Sequence, residues 1–324
     1  MKSKKNILIL SVGTRNKIVE YFKDNISEGK VIATDMSEYA PGLYEADKHY
    51  ITSSISDPNY LHEVIKICDV EDIDVVFSLI DPELSLLAAN KDKFDEKNII
   101  LLQSNKELID LSFNKFKFYN KLNDLNYNSQ KSFIDYTCIV NELKKNGLEF
   151  PLFVKPNTGS ASININRVND IETLNNLYEK HKDLIVQEYV EGIEYGVDVY
   201  VDIISKKVIS IFIKEKIKMR AGETDKSISV KDDKLFDLIE KFVNEMGYSG
   251  HIDIDIFRKN DTFYISEVNP RFGGGYPHAY ESGCNFPKYI INNINGLSNA
   301  PEIGKYKEGT VMMKYNEIKY LEKK

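Results

Sequence analysis

The chain has 324 residues, 42% of them hydrophobic and 29% charged, a balance that excludes a disordered, collagen-like or low-complexity protein. A formal charge of −7 excludes binding that lives by neutralising nucleic-acid phosphates, and no stretch approaches the length of a membrane span. Three cysteines, Cys68, Cys138 and Cys284, stand far apart with no CxxC and no Cys/His cluster, which excludes a disulfide framework or zinc site and points to a reducing, cytoplasmic setting.

The first predicted element is a strand at 6–12 (NILILSV). Lysines before it imitate a signal peptide, but the apolar run from Ile7 to Val12 is too short, and Thr14, Arg15, Asn16 and Lys17 follow at once. A helix at 17–23 places Ile18, Val19 and Phe22 on one side. A strand follows at 31–33, ended by Thr34 and Asp35. A helix at 60–68 carries Leu61, Val64, Ile65 and Cys68 at helical spacing. Next come a buried strand at 74–79 (DVVFSL), a helix opening at Pro82 and a strand at 99–102. Apolar strands alternating with helices predict a parallel sheet covered on both faces. Gly13 stands alone after the first strand, with neither G-x-G-x-x-G nor a Walker A loop, and Asp35 reads as a strand-end turn residue.

A helical pattern spans 105–127. The character then changes. A strand at 150–155 (FPLFVK) leads into a turn-rich loop (PNTGSAS), a second strand at 163–167, a helix at 171–180 and a strand at 184–189 (LIVQEY). Residues 195–204 and 207–216 read as a long antiparallel pair. Lys214, Lys216, Lys218 and Arg220 form a short basic run suited to a small anionic ligand, and Lys218 and Arg220 are expected in a polar loop. A helix at 235–246 precedes two facing strands, 252–257 and 262–268, joined by a polar turn.

The chemistry concentrates in HIDIDIF and in FYISEVNPRFGGGY. On a strand, side chains alternate faces, so Asp253 and Asp255 share one face, as do Glu267 and Asn269. If those faces coincide, carboxylates about 5 Å apart repel by roughly 3 kcal/mol at an effective dielectric of 20 and need a cation. Magnesium suits oxygen donors of this kind; Arg271 alone is the alternative. Gly273, Gly274 and Gly275 let backbone amides approach an anion, or simply make a tight turn. Lys155, ending a strand before small residues, can place its ammonium on phosphates. The segment QEYVEG, followed by Glu194, offers backbone groups to an adenine edge and a carboxylate to ribose hydroxyls.

These elements, in this order, resemble the ATP-grasp superfamily, and most of all single ATP-grasp halves of the carbamoyl phosphate synthase large subunit and the short proteins named after it. The resemblance rests on Lys115, Lys155 with GSAS, QEYVEG, DID and E-x-N-P-R. It implies a preATP-grasp α/β domain with a parallel sheet over 1–110. An ATP-grasp fold of two α+β subdomains follows, a lid at 111–190 and a metal-bearing part at 191–324. Lys115 and Lys155 would contact ATP phosphates, and Ser160, Ala161 and Ser162 would lie in the lid over them. Glu188 and Val190 would sit at the adenine, and Glu194 at the ribose. Glu267 and Asn269 would bind magnesium (or manganese) with an acid from the preceding strand, where Asp253 competes with Asp255 and Asp255 is taken. Arg271 would bind the transferring phosphoryl group.

The implied activity is an ATP-dependent ligase. A carboxylate becomes an acyl phosphate and an amine or other nucleophile displaces phosphate, with Arg271, Lys155 and Arg220 as the catalytic cations. Lys218 and Arg220 would hold the second substrate or the γ-phosphate, or form an exposed loop. His251 is read as structural and His278 as a substrate-site candidate. The chain is too short for a carbamoyl phosphate synthase, so carbamoyl phosphate is not the expected product. The competing readings are a non-catalytic ATP-binding protein and a phosphotransferase on the same fold. Partners are expected to be small carboxylates and amines, with no nucleic acid or membrane, in a homodimer.

Overall fold

The computed structural model describes residues 4–159 and 166–322. The first of its three sheets contains β1 (Ile7–Leu10), β2 (Val31–Asp35), β3 (Lys48–Ile51), β4 (Val75–Ser78) and β5 (Ile100–Leu101). They lie in the order β3-β2-β1-β4-β5 and every pair is parallel. Alternation along β1 sends Ile7 and Ile9 to one face, against Ile18, Val19 and Phe22 of α1 (Asn16–Asn25). Leu8 and Leu10 go to the other, against Tyr60 and Val64 of α2 (Tyr60–Glu71), Leu87 of α3 (Asp81–Ala89) and Phe94 of α4 (Lys91–Asp95). The expected parallel α/β sheet is therefore present. β3 escapes prediction because KHYI is a mostly exposed edge strand with no apolar run. Asp35 is the turn residue expected: its carboxylate accepts from the backbone N–H groups of Gly13 at 2.8 Å and Ser37 at 2.9 Å.

The helical pattern at 105–127 is two helices, α5 (Lys106–Phe113) and α6 (Lys115–Asp124). Asn114 ends the first in an extended conformation and caps the second, its side chain accepting from Lys117 N–H. The small second sheet comprises β6 (Ser132–Phe133), β7 (Leu152–Pro156), β8 (Asn166–Val168) and β9 (Leu184–Glu188), in the antiparallel order β6-β9-β7-β8. With α7 (Tyr136–Lys144) and α8 (Ile171–Lys180) it encloses its own core, including Ile139, Leu152, Val154, Leu174 and Val186.

The third sheet is antiparallel, in the order β14-β13-β10-β11-β12-β15. Its strands are β10 (Ile193–Val201), β11 (Val208–Arg220), β12 (Glu223–Val230), β13 (Gly250–Lys259), β14 (Thr262–Asn269) and β15 (Val311–Met313). Between β12 and β13 runs α9 (Asp233–Met246), capped by the Asp232 side chain and stopped by Gly247 at φ 80°. It buries Leu235, Phe236, Ile239, Phe242, Val243 and Met246, each worth roughly 1.5–3 kcal/mol. α10 (Tyr276–Glu281) and α11 (Phe286–Ile294) follow β14. Lys218 and Arg220 do not lie in a loop. β11 runs to Arg220 and turns through Ala221 (φ 51°) and Gly222 (φ 78°) into β12. At the end of this hairpin Ile217 and Met219 alternate with Lys216, Lys218 and Arg220, but the apolar side is exposed and the charges dominate the segment. Among the described residues, no helix is long and apolar enough to cross a membrane.

Candidate active site

Residues of the second and third sheets, and of the segments that follow β1 and β4 of the first, line one cavity of about 590 Å³. Its floor is set by strand register. Asp255 stands directly opposite Glu267, and Asp253 opposite Asn269, across β13 and β14. The coincidence of faces that the sequence left conditional is therefore present. On the other side of β13, Asp255 faces Gly196 of β10, which in turn faces Lys214 of β11. Gly196 leaves a notch. A Cβ there would stand 3.0 Å from Lys214 Cε and 3.2 Å from Lys216 Cε. Through this gap Lys216 donates to Asp255 at 2.6 Å and to Glu194 at 2.7 Å. Lys214 turns instead to Asp198, a pair with side chains only 1% and 2% exposed.

The carboxylates are thus balanced by lysines. Lys155 reaches Glu267 at 3.2 Å and, with help from Lys115, holds that carboxyl down at about 2 despite burial. Burial pushes Asp255 up to about 7, against the pull of Lys216, and Asp253, Glu267 and Glu194 push the same way. Burial disfavours the Lys216 charge, but Asp255, Glu194 and Asp253 outweigh it and raise its pKa. Arg271 bonds Asp81, from the start of α3, at 3.0 Å and lies 3.8 Å from Asp253. The glycines after it are packed rather than free. A Cβ would stand 2.5 Å from Asp253 at Gly273, 2.5 Å from Glu223 at Gly274, and 2.6 Å from Lys214 at Gly275.

A family model described as an ATP-grasp domain matches residues 95–275, more than half of the chain. The chain belongs to the ATP-grasp family. A second model, PylC-like N-terminal domain, matches residues 7–102. The chain is 27% identical over 194 residues to the carbamoyl phosphate synthase large chain of Thermoanaerobacter sp. (strain X514), which covers 54% of this chain but 18% of that one. It is 28% identical over 134 residues to the D-alanine–D-alanine ligase of Francisella philomiragia, covering 38% of this chain and 45% of the ligase. In fold it is similar to the biotin carboxylase domain of Hydrogenobacter thermophilus 2-oxoglutarate carboxylase, solved with MgADP, ADP and bicarbonate. That likeness has a TM-score of 0.75 at 16% identity and covers 95% of this chain and 73% of that one.

Within this ATP-grasp frame the residues singled out from the sequence are not all in one place. Lys155, Val190, Glu194, Asp255, Glu267, Asn269 and Arg271 line the cavity. Glu188 does not; Gln187 and Tyr189 on either side of it do, as strand alternation requires. Lys115 sits just behind, donating to Gly159 O at 2.7 Å. Arg220 lies outside the cavity, its side chain 53% exposed and paired with Asp225 at 3.2 Å. Ser160, Ala161 and Ser162 fall outside the described residues. His251 is buried and stacked on Phe272 at 3.8 Å, and burial lowers it to about 3, as a structural histidine should be. His278 is also buried away from the cavity, bonded to Ser227 at 2.8 Å and to Thr310.

Sequence reasoning missed Gly196 and saw Lys216 only as one member of a basic run, because both matter through cross-strand register. It also missed Asp81 and Arg15, brought in from the first sheet. Gln187 stood inside a motif it had noticed. Its Nε2 donates to Ser132 at 2.8 Å, while its Oε1 is buried with no partner.

Proposed function

We propose that this protein is an ATP-dependent ligase that activates a carboxylate as an acyl phosphate and transfers the acyl group to an amine or other nucleophile. The observation that carries this reading is the facing pair Asp255 and Glu267, with Asn269 one register step away and Lys155 on Glu267. Two carboxylates and an amide oxygen are the hard donors that magnesium takes alongside phosphates. Among the described residues no three His, Cys, Asp or Glu side chains converge closely enough to hold an ion alone. That agrees with a metal delivered with its nucleotide. Bound magnesium would neutralise phosphate oxygens. Asp255, Glu267 and Asn269 would hold it, and Lys155 and Lys216, freed from the carboxylates, would turn to the phosphates. The buried, unpartnered Gln187 Oε1 suits the exocyclic N–H of adenine, beside the apolar wall of Val190 and Phe257. Glu194, which lines the same cavity, would take the ribose hydroxyls.

In the first step an oxygen of the substrate carboxylate forms a bond to the γ-phosphorus as the bond to the ADP oxygen breaks. In the second, the nucleophile forms a bond to the acyl carbon, phosphate leaves, and the amine proton passes to solvent. Arg271 stabilises charge on the transferring phosphoryl group. The fit of hard oxygen donors, a lysine and a buried arginine in one cavity favours turnover over mere nucleotide binding. Glu267→Gln and Asn269→Ala should each lower magnesium-dependent ADP release, measured over a panel of carboxylates and amines, by at least a hundredfold. Wild-type turnover in both would sink the assignment.

A further inference from the structure

The first sheet reverses its strand order between β1 and β4, since the chain builds β1-β2-β3 outward on one side and returns to place β4 on the other. In open α/β sheets, ligands bind outside the carboxyl ends of the strands at such a switch point. Here the turns leaving β1 and β4 open into the shared cavity, where they contribute Arg15 and Asp81. Asp81 is committed to Arg271. Arg15 donates from one nitrogen to the backbone oxygens of Leu79 and Phe272 and from the other, at 3.2 Å, to Glu223 at the head of β12. The second oxygen of Glu223 accepts from Lys314 at 2.8 Å. The bare backbone of Gly274 makes room for this carboxylate, and Glu223 lines the cavity too. A guanidinium and a carboxylate therefore stand side by side in the cavity wall, and the proposed phosphoryl transfer uses neither.

We propose that Arg15 and Glu223 dock a co-substrate carrying both a carboxylate and an ammonium group, an amino acid or its like. The carboxylate pairs with Arg15, which keeps its Nε–H and one further N–H to offer beside the three bonds it makes, and the ammonium pairs with Glu223. Such an exchange leaves every charge compensated, whereas a plain anion would have to compete with Glu223 and a plain amine with Arg15. Burial and the nearby Arg271 both disfavour the Arg15 charge, so an incoming carboxylate is welcome there. The assignment of this ligand as a substrate rests on the ligase reading; the docking pair itself does not.

Calorimetry separates the two. The protein is titrated first with ADP and Mg2+, then, ADP-loaded, with individual L- and D-amino acids. Each binder is repeated as its methyl ester and its N-acetyl derivative. At least one free amino acid should bind, and blocking either end should weaken it tenfold or more. Arg15→Gln should weaken the free acid at least tenfold yet leave its methyl ester unchanged. Glu223→Gln should do the same for the free amine against the N-acetyl form, and ADP affinity should stay within twofold in both. ADP binding without any amino-acid binding overturns the docking pair and spares the ligase reading. Amino-acid binding that needs Arg15, without ADP binding, does the reverse. Equal losses for acid and ester show a merely structural arginine and overturn the proposal. Should Arg15→Gln not fold, Arg15→Lys and the wild-type comparison of acid with ester decide.

Discussion

Lys216 reaches Asp255 from two strands away only because Gly196, between them, has no side chain. The ammonium then serves two carboxylates at once, and its own side chain is almost wholly buried. Removing it leaves Asp255 with Asp253, Glu267 and Glu194 as neighbours and one compensating cation fewer. Lys216→Met should therefore lose about 3–5 kcal/mol of stability at pH 8, the cost typical of stranding one partner of a buried pair. The loss should shrink as pH falls from 8 toward about 7 and level off below, because without the pull of Lys216 the Asp255 carboxyl keeps its proton to higher pH than in the wild type. Denaturant titrations of both proteins from pH 5 to 8 test this, and a pH-independent difference would contradict it. The acidic residues of this site were readable from alternation along DID and SEVN, because strand period alone puts them on common faces. Lys216 was visible only as part of a basic run, since reach across a sheet depends on register and on what the intervening strand omits.

At the scale of elements, β4, α2 and α3 are tied by one buried acid. Glu83, on the first turn of α3, accepts from Tyr60 of α2 and Ser78 of β4 with no exposed surface. Burial pushes this carboxyl up to about 8, from 4.5. Between those values the folded chain binds a proton that the unfolded chain has lost, so stability falls as pH rises through the window. The fall is at most about 1.4 kcal/mol per pH unit from this group. Glu83→Gln should flatten that dependence between pH 5 and 8 in thermal melts, and an unchanged slope would count against it. Elements with apolar faces, such as β1, β4 and α9, were legible from sequence. Those that escaped bury no such face. β3 is an exposed edge, and the far end of the β11–β12 hairpin projects into solvent, which is why its charges looked like a loop. The helix break at Asn114 was also hidden, because its capping side chain interrupts no apolar stripe.

For the whole molecule, one continuous apolar cluster joins β1 and α1 of the first sheet to β10, β11, β13 and α9 of the third, while the small sheet packs around a separate core. Few buried contacts then oppose local opening of the small sheet, whose link to the catalytic floor includes the Lys155–Glu267 pair. Hydrogen exchange should find amides of β7 and β9 protected by less free energy than those of β1, β10 and β13, with the gap narrowing when ADP and Mg2+ are added. Equal protection in all five strands would mean a single cooperative unit. This division was not legible in the sequence, because each sheet's strands look alike as apolar runs, and only their packing shows which cores merge.

The meeting of sheets at one cavity also divides labour along the chain. The proposed grip on the nucleotide is built from the antiparallel sheets, but two of the cavity's walls arrive on short turns leaving β1 and β4, each only a few residues long. A turn of that size can be traded between homologues without disturbing any strand it connects. Chimeras that exchange residues 12–15 and 79–80 together, leaving Asp81 to hold Arg271, should thus inherit the donor's taste in co-substrate while keeping the recipient's handling of ATP.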